Sequence, residues 1–239
     1  MLAAYDISKS QGGRPILSGV DAAVGPGGLT AIVGPSGGGK STLLRALALT
    51  DPPDAGRIEV DGRAYSFPAP GEIAPPWPLV TVVFQQFFLW PHLTLRGNIE
   101  LPLRCAGKPE AEIAETVAAL ARTFAMDGFL DRHPNQVSGG QQQRAALARA
   151  LALRPRYLLL DEITSALDLE QSRALFGHLR ALRGEGIGVV LVTHFLGFVR
   201  EEADTVLFLD GGTVAEAGGR KILSAPKTER LGRFLDVAR

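Results

Sequence analysis

A glycine-rich loop between an apolar segment and a helix-forming segment constrains this sequence more than any other feature. The run "LTAIVG" at residues 29–34 predicts a short buried strand, and "KSTLLRALAL" from residue 40 predicts a helix. The phosphate loop between them, residues 34–42, matches the pattern G-x-x-x-x-G-K-S/T. Glycines let backbone N–H groups close around phosphate oxygens, and the helix start adds positive potential. The chain is therefore expected to hold a nucleotide by its phosphates.

The alternation of strand and helix returns further along the chain. "YLLLDE" precedes the helix-like "LEQSRALFGHLRALR", and "GVVLVTH" precedes "FLGFVREEA". Such repeats indicate a parallel sheet with helices on both faces. No strand signal appears from about residue 94 to 155, where Ile113, Val117, Leu120 and Phe124 recur at helical spacing. We therefore predict an α/β fold with a helical subdomain inserted into the sheet domain.

A proline-rich segment precedes the helical part. "SFPAPGEIAPPWP" contains five prolines in thirteen residues. Because proline lacks a backbone N–H and has a fixed φ, this segment cannot be a helix or a central strand. A stiff exposed loop is predicted there.

The composition excludes several classes of function. The charges balance, with 25 basic and 25 acidic residues, so nucleic acid and anionic lipid are not expected as main partners. Cys105 is the only cysteine, which excludes an internal disulfide and fits a reducing compartment; a buried or half-buried apolar role is expected for it. The N-terminus lacks a secretory signal, and no segment approaches about 18 uninterrupted apolar residues. An intracellular chain is expected, with any membrane role depending on a partner.

Two sets of side chains could act on the nucleotide. Lys40 in the phosphate loop would reach the β- and γ-phosphates, and the Ser41 hydroxyl would ligate Mg²⁺. The strand "YLLLDE" delivers Asp161 and Glu162 to its carboxyl end, where sites in open parallel sheets lie. Asp161 suits a Mg²⁺ contact, and Glu162 could polarise the attacking water. Acidic residues at strand ends often cap the next helix, and only the phosphate loop favours the catalytic interpretation.

A second glycine pair lies in "QVSGGQQQRAALARAL". Ser138, Gly139 and Gly140 predict a tight turn before a strong helix former, and free backbone donors at the helix start would bind an anion. An ordinary capped helix with glycines in the preceding loop explains the same residues. The physics of the segment alone favours the capped helix.

The whole set in order resembles the ATP-binding subunit of an ABC transporter: phosphate loop, Gln85, "VSGGQ", "LLLDE", "SALD", and His194 after "VVLVT". The resemblance covers essentially the entire chain. It implies a P-loop NTPase fold of ABC ATPase type, with a RecA-like core sheet, an N-terminal antiparallel β portion and an inserted helical subdomain. It also implies one ATPase domain over residues 1–239, with the nucleotide-binding core in 1–90 and 156–239 and the helical subdomain in 91–155.

The resemblance assigns ATP and Mg²⁺ as cofactors and a second identical subunit as partner. Two domains would dimerise head to tail, so that the signature turn (residues 138–141) of one meets the γ-phosphate held by the other. Glu162 is implied as catalytic base, and His194 as the group that positions the γ-phosphate and water. The residues implied to bind the nucleotide are Gly34, Pro35, Ser36, Gly37, Gly38, Gly39, Lys40, Ser41, Thr42, Gln85, Ser138, Gly139, Gly140, Gln141 and Asp168. Those implied to contact the metal are Ser41, Gln85 and Asp161.

The resemblance also implies a membrane partner. Gln85, rather than Gln86, matches the family's mobile glutamine, which links Mg²⁺ to permease subunits contacting residues 85–93. The aromatic residues Phe87, Phe88 and Trp90 suit either the core or a groove for a permease helix, and the resemblance favours the groove. The subunit would lie on the cytoplasmic face of the membrane and serve a solute-binding protein indirectly.

Two phrases point to a branch of the family. "FQQFFLWPHLT" and "PKTERLGRFL" are similar to bacterial importers of polar amino acids. A soluble ABC-type ATPase of an assembly system, or a subunit of an exporter or lipid-handling system, are the alternatives.

Two residues depart from the family pattern. Gln11 stands where an aromatic side chain usually stacks on adenine, and Tyr5 is the alternative stacking residue. We expect weaker ATP binding as a result. Ile163 replaces the usual proline after Glu162, and activity is expected to survive because the catalytic side chains remain.

Overall fold

The computed structural model describes residues 1–163 and 169–237. The described strands are β1 (Leu2–Gln11), β2 (Arg14–Val24), β3 (Leu29–Val33), β4 (Ala55–Val60), β5 (Arg63–Phe67), β6 (Val80–Val83), β7 (Tyr157–Asp161), β8 (Gly188–Val192), β9 (Thr205–Asp210) and β10 (Thr213–Gly218). The described α-helices are α1 (Lys40–Leu47), α2 (Leu95–Cys105), α3 (Glu110–Thr123), α4 (Gly139–Leu151), α5 (Leu169–Gly184), α6 (Leu196–Glu202) and α7 (Glu229–Val237).

A six-stranded sheet forms the centre of the molecule, in the order β10-β9-β3-β8-β7-β6. β3 pairs in parallel with β8 and β9, and β7 with β6 and β8, whereas β10 runs antiparallel to β9. β3, β7 and β8 are buried over their whole lengths. Their continuous apolar sequences are what strands covered on both faces require.

The two faces of this sheet bury alternate residues of the same strands. On one face Leu158 and Leu160 of β7 pack in a core shared with α2, α3, α4 and α5. On the other face Leu159 packs in a core shared with α1 and a second sheet. The predicted parallel sheet is thus observed with helices on one face, whereas α1 shares the other face with the second sheet.

The second sheet has four antiparallel strands in the order β2-β1-β4-β5. α1 contacts β1 and β2 of this sheet and β7 and β8 of the central sheet. The helix that follows the phosphate loop is therefore held between two β layers, which fixes its direction relative to the loop.

Between β6 and β7 the chain is helical. α2, α3 and α4 and the short 3-10 turn Pro134–Gln136 occupy this span, and α2 packs against both α3 and α4. Of the predicted apolar face, Ile113, Val117 and Phe124 are buried, and Leu120 packs against them half-buried. The residues of this span pack on one side of the central sheet and carry the signature turn.

The proline-rich segment follows β5. Its first two residues, Ser66 and Phe67, complete that edge strand, and residues 68–79 form neither helix nor strand. Trp77 and Leu79 expose large apolar surface at its end. Across the described residues, no helix combines the length and apolarity required to span a bilayer.

Candidate active site

The predicted site residues follow four neighbouring strands of the central sheet. The phosphate loop follows β3, His194 follows β8, Asp161 ends β7, and Gln85 lies just after β6. Because these strands are parallel and adjacent in the order β3-β8-β7-β6, their carboxyl ends meet at one edge. The structure thus brings together groups that are far apart in sequence.

The phosphate loop depends on glycine at two positions of close approach. Gly34 has a φ of 148°, and a Cβ there would overlap the carbonyl oxygen of Leu209 at the end of β9. Gly39 has a φ of 95°, and a Cβ there would lie 2.8 Å from the Leu17 side chain and 2.9 Å from the Ile16 carbonyl oxygen. Both conformations disfavour other residues. The loop is thereby pressed between β9 and β2, with Pro35, Ser36 and Gly37 facing solvent.

Lys40 is enclosed by the loop that it follows. Its side chain is 5% exposed, and Nζ donates to the carbonyl oxygens of Gly34 at 3.0 Å and Pro35 at 2.9 Å. Nζ also lies 3.9 Å from Glu162 Oε1. Burial lowers the pKa of Lys40, while the nearby carboxylates of Glu162 and Asp161 oppose that shift. An ammonium held on loop carbonyls is placed to turn toward phosphate oxygens.

Ser41 and Asp161 form the second pair. Ser41 Oγ donates to Asp161 Oδ1 at 3.1 Å, and Asp161 is only 4% exposed. Burial raises the pKa of Asp161, which the hydrogen bond from Ser41 partly offsets. A buried carboxylate beside a hydroxyl is a donor pair suited to Mg²⁺, which keeps its other positions for water and phosphate oxygens. Consistent with that limited donor set, no cluster of three His, Cys, Asp or Glu residues able to enclose a metal is found in the described ranges.

Glu162 lies between two nitrogen groups. His194 Nε2 is 2.8 Å from Glu162 Oε1, the same oxygen that lies 3.9 Å from Lys40 Nζ. The backbone of Glu162 has a φ of 48°, and its N–H donates to the carbonyl oxygen of Val192 at 3.0 Å. Ile163, the next residue, is 1% exposed and belongs to the helix-side core. A carboxylate fixed at this point can accept a proton from water.

The signature turn differs in detail from its prediction. Ser138 is the N-cap of α4, and Gly139 and Gly140 are its first helical residues rather than part of a tight turn. Ser138 Oγ accepts from the Gln141 N–H at 3.3 Å, and Gln141 Oε1 accepts from the Ser138 N–H at 2.9 Å. This reciprocal cap extends the helix through both glycines. Their N–H groups still lie in the first turn, where a helix offers them no acceptor.

Several predicted residues lie elsewhere or outside the described part. Asp168 falls outside the described residues. Gln11 is exposed at the end of β1, opposite Arg14. Tyr5 lies six residues earlier on β1, with its ring under the Arg57 guanidinium at 4.9 Å. The interpretation of Tyr5 as the alternative stacking residue stays a prediction.

The aromatic segment after Gln85 divides between core and surface. Phe87 packs against the helix-side core, whereas Phe88 is 61% and Trp90 49% exposed. Trp90 lines an open cleft of about 290 Å³ together with Trp77, Cys105 and Arg149. We call this the tryptophan cleft. Cys105 is exposed at the last residue of α2, so the expectation of a buried or half-buried cysteine is wrong.

Sequence reasoning missed Arg149 of α4. Its guanidinium donates to the carbonyl oxygens of Phe87 and Phe88, both at 2.7 Å. The only signal in the sequence is an arginine within the small apolar residues of "AALARAL". A bond to backbone carbonyls has no pattern of its own, so the sequence does not reveal the partner.

Comparison with known proteins gives the family. The ABC transporter family model matches residues 17–165. The L-cystine import ATP-binding protein TcyC of Bacillus subtilis is 39% identical over 241 residues, covering 99% of this chain and 98% of that protein. The glutamine transport ATP-binding protein GlnQ of Escherichia coli is 37% identical over 241 residues, and the arginine transport ATP-binding protein ArgV of Corynebacterium glutamicum 37% over 246, each covering 98% of this chain. They cover 98% and 97% of their own lengths respectively.

Solved structures give the same result for the fold. A dimeric post-hydrolysis state of the ATP-binding cassette MJ0796 bound to ADP and Pi superposes with a TM-score of 0.83 at 30% identity, covering 92% of this chain and 99% of that chain. A second dimeric structure of MJ0796, described as a bacterial ABC transporter cassette, gives 0.81 at 31% identity over the same shares. The expected P-loop NTPase fold of ABC ATPase type is confirmed. The chain therefore belongs to the ABC transporter family, as an ATP-binding cassette that hydrolyses ATP.

Proposed function

We propose that this cassette is the ATPase subunit of an amino acid importer, and that this importer belongs to the polar amino acid branch. The observation that carries the proposal is the match along nearly the full length to subunits named for L-cystine, glutamine and arginine transport. The alternatives, a soluble assembly ATPase and an exporter or lipid-handling subunit, have no comparable support.

ATP binding uses the phosphate loop as a preformed cradle. Backbone N–H groups of residues 34–42 surround the β- and γ-phosphates, and Lys40 exchanges its two loop carbonyls for phosphate oxygens. Ser41, Asp161 and Gln85 would hold Mg²⁺, whose charge offsets that of the phosphates. Burial raises the pKa of Asp161 because it disfavours the charged carboxylate. A bound cation would offset that cost by stabilising the charged form, which supports this role.

Hydrolysis uses Glu162 and His194. Glu162 accepts a proton from the attacking water, the water oxygen bonds to the γ-phosphorus, and the bond to the β–γ bridging oxygen breaks to give ADP and phosphate. His194 holds Glu162 at 2.8 Å and is placed to contact the γ-phosphate. The contact of Glu162 with Val192 fixes the base relative to β8.

A second copy of the chain completes each site. The exposed Ser138 and Gly139 lie at a helix start with unused N–H groups, which suits a phosphate brought by another subunit. Gly140 and Gln141 extend this surface, and Asp168 would lie in the loop between the two sites. Two-fold head-to-tail pairing would create two equivalent sites from two phosphate loops and two signature turns.

The permease is proposed to bind beside the tryptophan cleft, over residues 85–93. Phe88 and Trp90 present exposed aromatic surface there, the residue type that anchors protein interfaces. An amphipathic permease helix on the cytoplasmic face would occupy the cleft, making the cassette a peripheral membrane subunit. Contact with a solute-binding protein would be indirect, and nucleic acid has no part in this function.

The test is affinity purification of the tagged chain from detergent-solubilised native membranes, followed by mass spectrometry. We expect an integral membrane protein and a solute-binding protein to be recovered. Trp90→Glu should lose both, because it places a charge in the cleft. Val237→Glu is the matched control, an exposed apolar residue on α7, which packs on β10 at the opposite edge of the sheet from β6. Recovery of soluble partners alone would refute the transport function.

A further inference from the structure

The hairpin formed by β1 and β2 lies against the phosphate loop. A Cβ at Gly39, the residue before α1, would lie 2.9 Å from the Ile16 carbonyl oxygen and 2.8 Å from the Leu17 side chain. A Cβ at Gly212, in the turn between β9 and β10, would lie 2.5 Å from the same Ile16 oxygen. The start of β2 is therefore in close contact with both loops, and the tip of the hairpin, residues 11–14, is held beside the phosphate loop.

The tip is a tight turn that places two side chains next to each other. Gly12 and Gly13 have φ values of 56° and 76°, as a two-residue turn of type I′ requires. Gln11 and Arg14 are direct partners in the strand ladder, so their side chains leave the hairpin on the same face. A Cβ at either glycine would meet no other atom within 4 Å. The tip therefore stands in open space and carries Gln11 and Arg14.

The guanidinium of Arg14 has no partner. Arg14 is exposed and forms no hydrogen bond, ion pair or ring contact within the described residues. The other cation of the hairpin, Lys9, pairs with Asp51 at 2.7 Å and donates to the Pro52 carbonyl oxygen at 2.6 Å. An arginine without a partner on a well-defined turn keeps its donors and its flat face for a ligand.

The direction of a bound nucleotide follows from the position that hydrolysis requires of its γ-phosphate. That phosphate must lie beside Glu162 and His194, which follow β7 and β8. These two strands lie on one side of β3 in the central sheet, whereas β9 and β10 lie on the other side, where β2 packs against β10. Because the base is at the opposite end of ATP from the γ-phosphate, it leaves the phosphate loop toward the tip of the hairpin.

The tip supplies no aromatic ring for the base. The sequence has no aromatic residue between Tyr5 and Tyr65. Their rings already lie under the guanidinium groups of Arg57 at 4.9 Å and Arg63 at 5.0 Å. A guanidinium can take the place of a ring, because its plane stacks on a base and its charge is attracted by the π electrons. Arg14 is the planar cation at the tip.

We propose that Arg14 is a specificity-determining residue of the nucleotide site, and that its guanidinium stacks on the purine base of ATP. This role rests on the proposed function, because it takes residues 34–42 to bind the β- and γ-phosphates. A contact with the face of the base favours purines over pyrimidines, whose single ring offers less area. Arg14 thus contributes to selection of the base, while the phosphate loop binds what all nucleotides share.

The experiment is isothermal titration of the full chain with ADP, UDP and tripolyphosphate, the last measured by displacement of ADP. ADP replaces ATP so that neither hydrolysis nor ATP-dependent pairing contributes to the measurement. Arg14→Ala should weaken ADP binding by about 2–5-fold, the value of an exposed cation–π contact. It should weaken UDP binding less and leave tripolyphosphate binding unchanged.

Arg63→Ala is the matched control and should leave all three affinities unchanged. Arg63 is exposed and follows the two-residue turn between β4 and β5, as Arg14 follows the turn between β1 and β2. The turn before Arg63 lies at the other end of the central sheet. There Asp61 accepts a hydrogen bond of 2.6 Å from the hydroxyl of Tyr157, the first residue of β7.

Two more substitutions distinguish stacking from charge. Arg14→Phe keeps a flat face without the charge and should retain ADP affinity, whereas Arg14→Lys keeps the charge without the plane and should bind as weakly as Arg14→Ala. The reverse order would overturn the proposal, as would unchanged ADP affinity in Arg14→Ala or an equal loss of tripolyphosphate affinity. A wild-type chain that bound neither ADP nor tripolyphosphate would instead refute the proposed function, which is a separate result.

Discussion

The phosphate loop and the signature turn are both glycine-containing helix starts, yet their surroundings are opposite. Around the loop, Lys40, Ser41, Asp161 and Glu162 are wholly or partly buried and bonded to groups of the same chain. Around the turn, Ser138 is exposed, and within the described residues its hydrogen bonds stay in its own helix. One half of the site is stable within a single chain. The other half presents unused donors and, under the proposed function, needs a second copy to act.

The largest expected effect is on ATP hydrolysis, and it distinguishes the chemical step from assembly of the dimer. Glu162→Gln removes the proposed proton acceptor while keeping the size of the side chain. We expect turnover to fall by about 10²–10⁴-fold, with ATP binding preserved and an ATP-stabilised dimer accumulating. Steady-state ATPase assays and size-exclusion chromatography with ATP measure the two outcomes. Near-normal hydrolysis would show that Glu162 is not the base.

Mixing two inactive variants tests whether the halves belong to different subunits. Lys40→Ala disables the phosphate half, and Ser138→Arg blocks the signature half with a bulky cation at an exposed N-cap. Each alone should be nearly inactive. In an equimolar mixture, random pairing restores one intact site in half of the dimers, or about a quarter of wild-type activity. A mixture as inactive as its components would mean that each chain completes its own site.

Placing an aromatic residue at position 11 tests whether contacts with the phosphates alone determine the affinity for ATP. Gln11→Tyr should tighten ATP binding by several-fold or more, because a base stacked on an aromatic ring is worth about 1–3 kcal/mol. Isothermal titration with ATP and GTP measures affinity and base preference. Tyr5→Ala, which removes the ring held under the Arg57 guanidinium, should leave both unchanged. Strong adenine selectivity in the wild type would show that another side chain already contacts the base.

The smallest expected effect is on the thermal stability of the protein without nucleotide. Because burial raises the pKa of Asp161 above its ordinary value of 3.8, the folded protein holds that proton more tightly than the unfolded chain. The protonated Asp161 therefore contributes to the free energy of unfolding below pH 3.8. This contribution is lost as the pH rises through the raised pKa of the folded state. At neutral pH, Asp161→Asn should therefore raise Tm, measured by thermal unfolding, because the neutral amide does not carry the burial cost of the charged carboxylate.

Two controls accompany this prediction. The difference in Tm between Asp161→Asn and wild type should shrink as the pH is lowered toward 3.8, since both side chains are then neutral. Saturating Mg²⁺ and ATP should stabilise the wild type more than the variant. A variant less stable than wild type at every pH would contradict the assignment of a burial cost to Asp161.

The parts of the fold that were predictable are those in which sequence and burial are directly related. β3, β7 and β8 are continuous apolar runs because parallel strands are covered on both faces, so their positions and their carboxyl-end residues could be read. The antiparallel sheet came only from the family resemblance. β1 has several breaks in register, which disturb the alternation that would have identified it.

The parts that were not predictable depend on contacts between distant residues. The conformation of Gly139 and Gly140 depends on the reciprocal cap of Ser138 and Gln141, which favours a helix over a loop. Cys105 is exposed because it ends α2 at an open cleft, to which the proline-rich segment contributes Trp77. The bonds of Arg149 to two carbonyls have no sequence pattern, since any residue supplies a carbonyl.

At position 162, the residue proposed to be needed for ATP turnover is not a residue that the left-handed backbone favours for stability. An L-residue other than asparagine or aspartate at a φ of 48° costs about 1–2 kcal/mol, whereas glycine has no such cost. Glycine and asparagine, two of the substitutions that suit this backbone best, would remove the carboxylate of the proposed base. A cassette released from the demand for hydrolysis would gain stability by drifting toward them. The residue at position 162 therefore distinguishes a chain maintained for ATP turnover from one maintained only to bind.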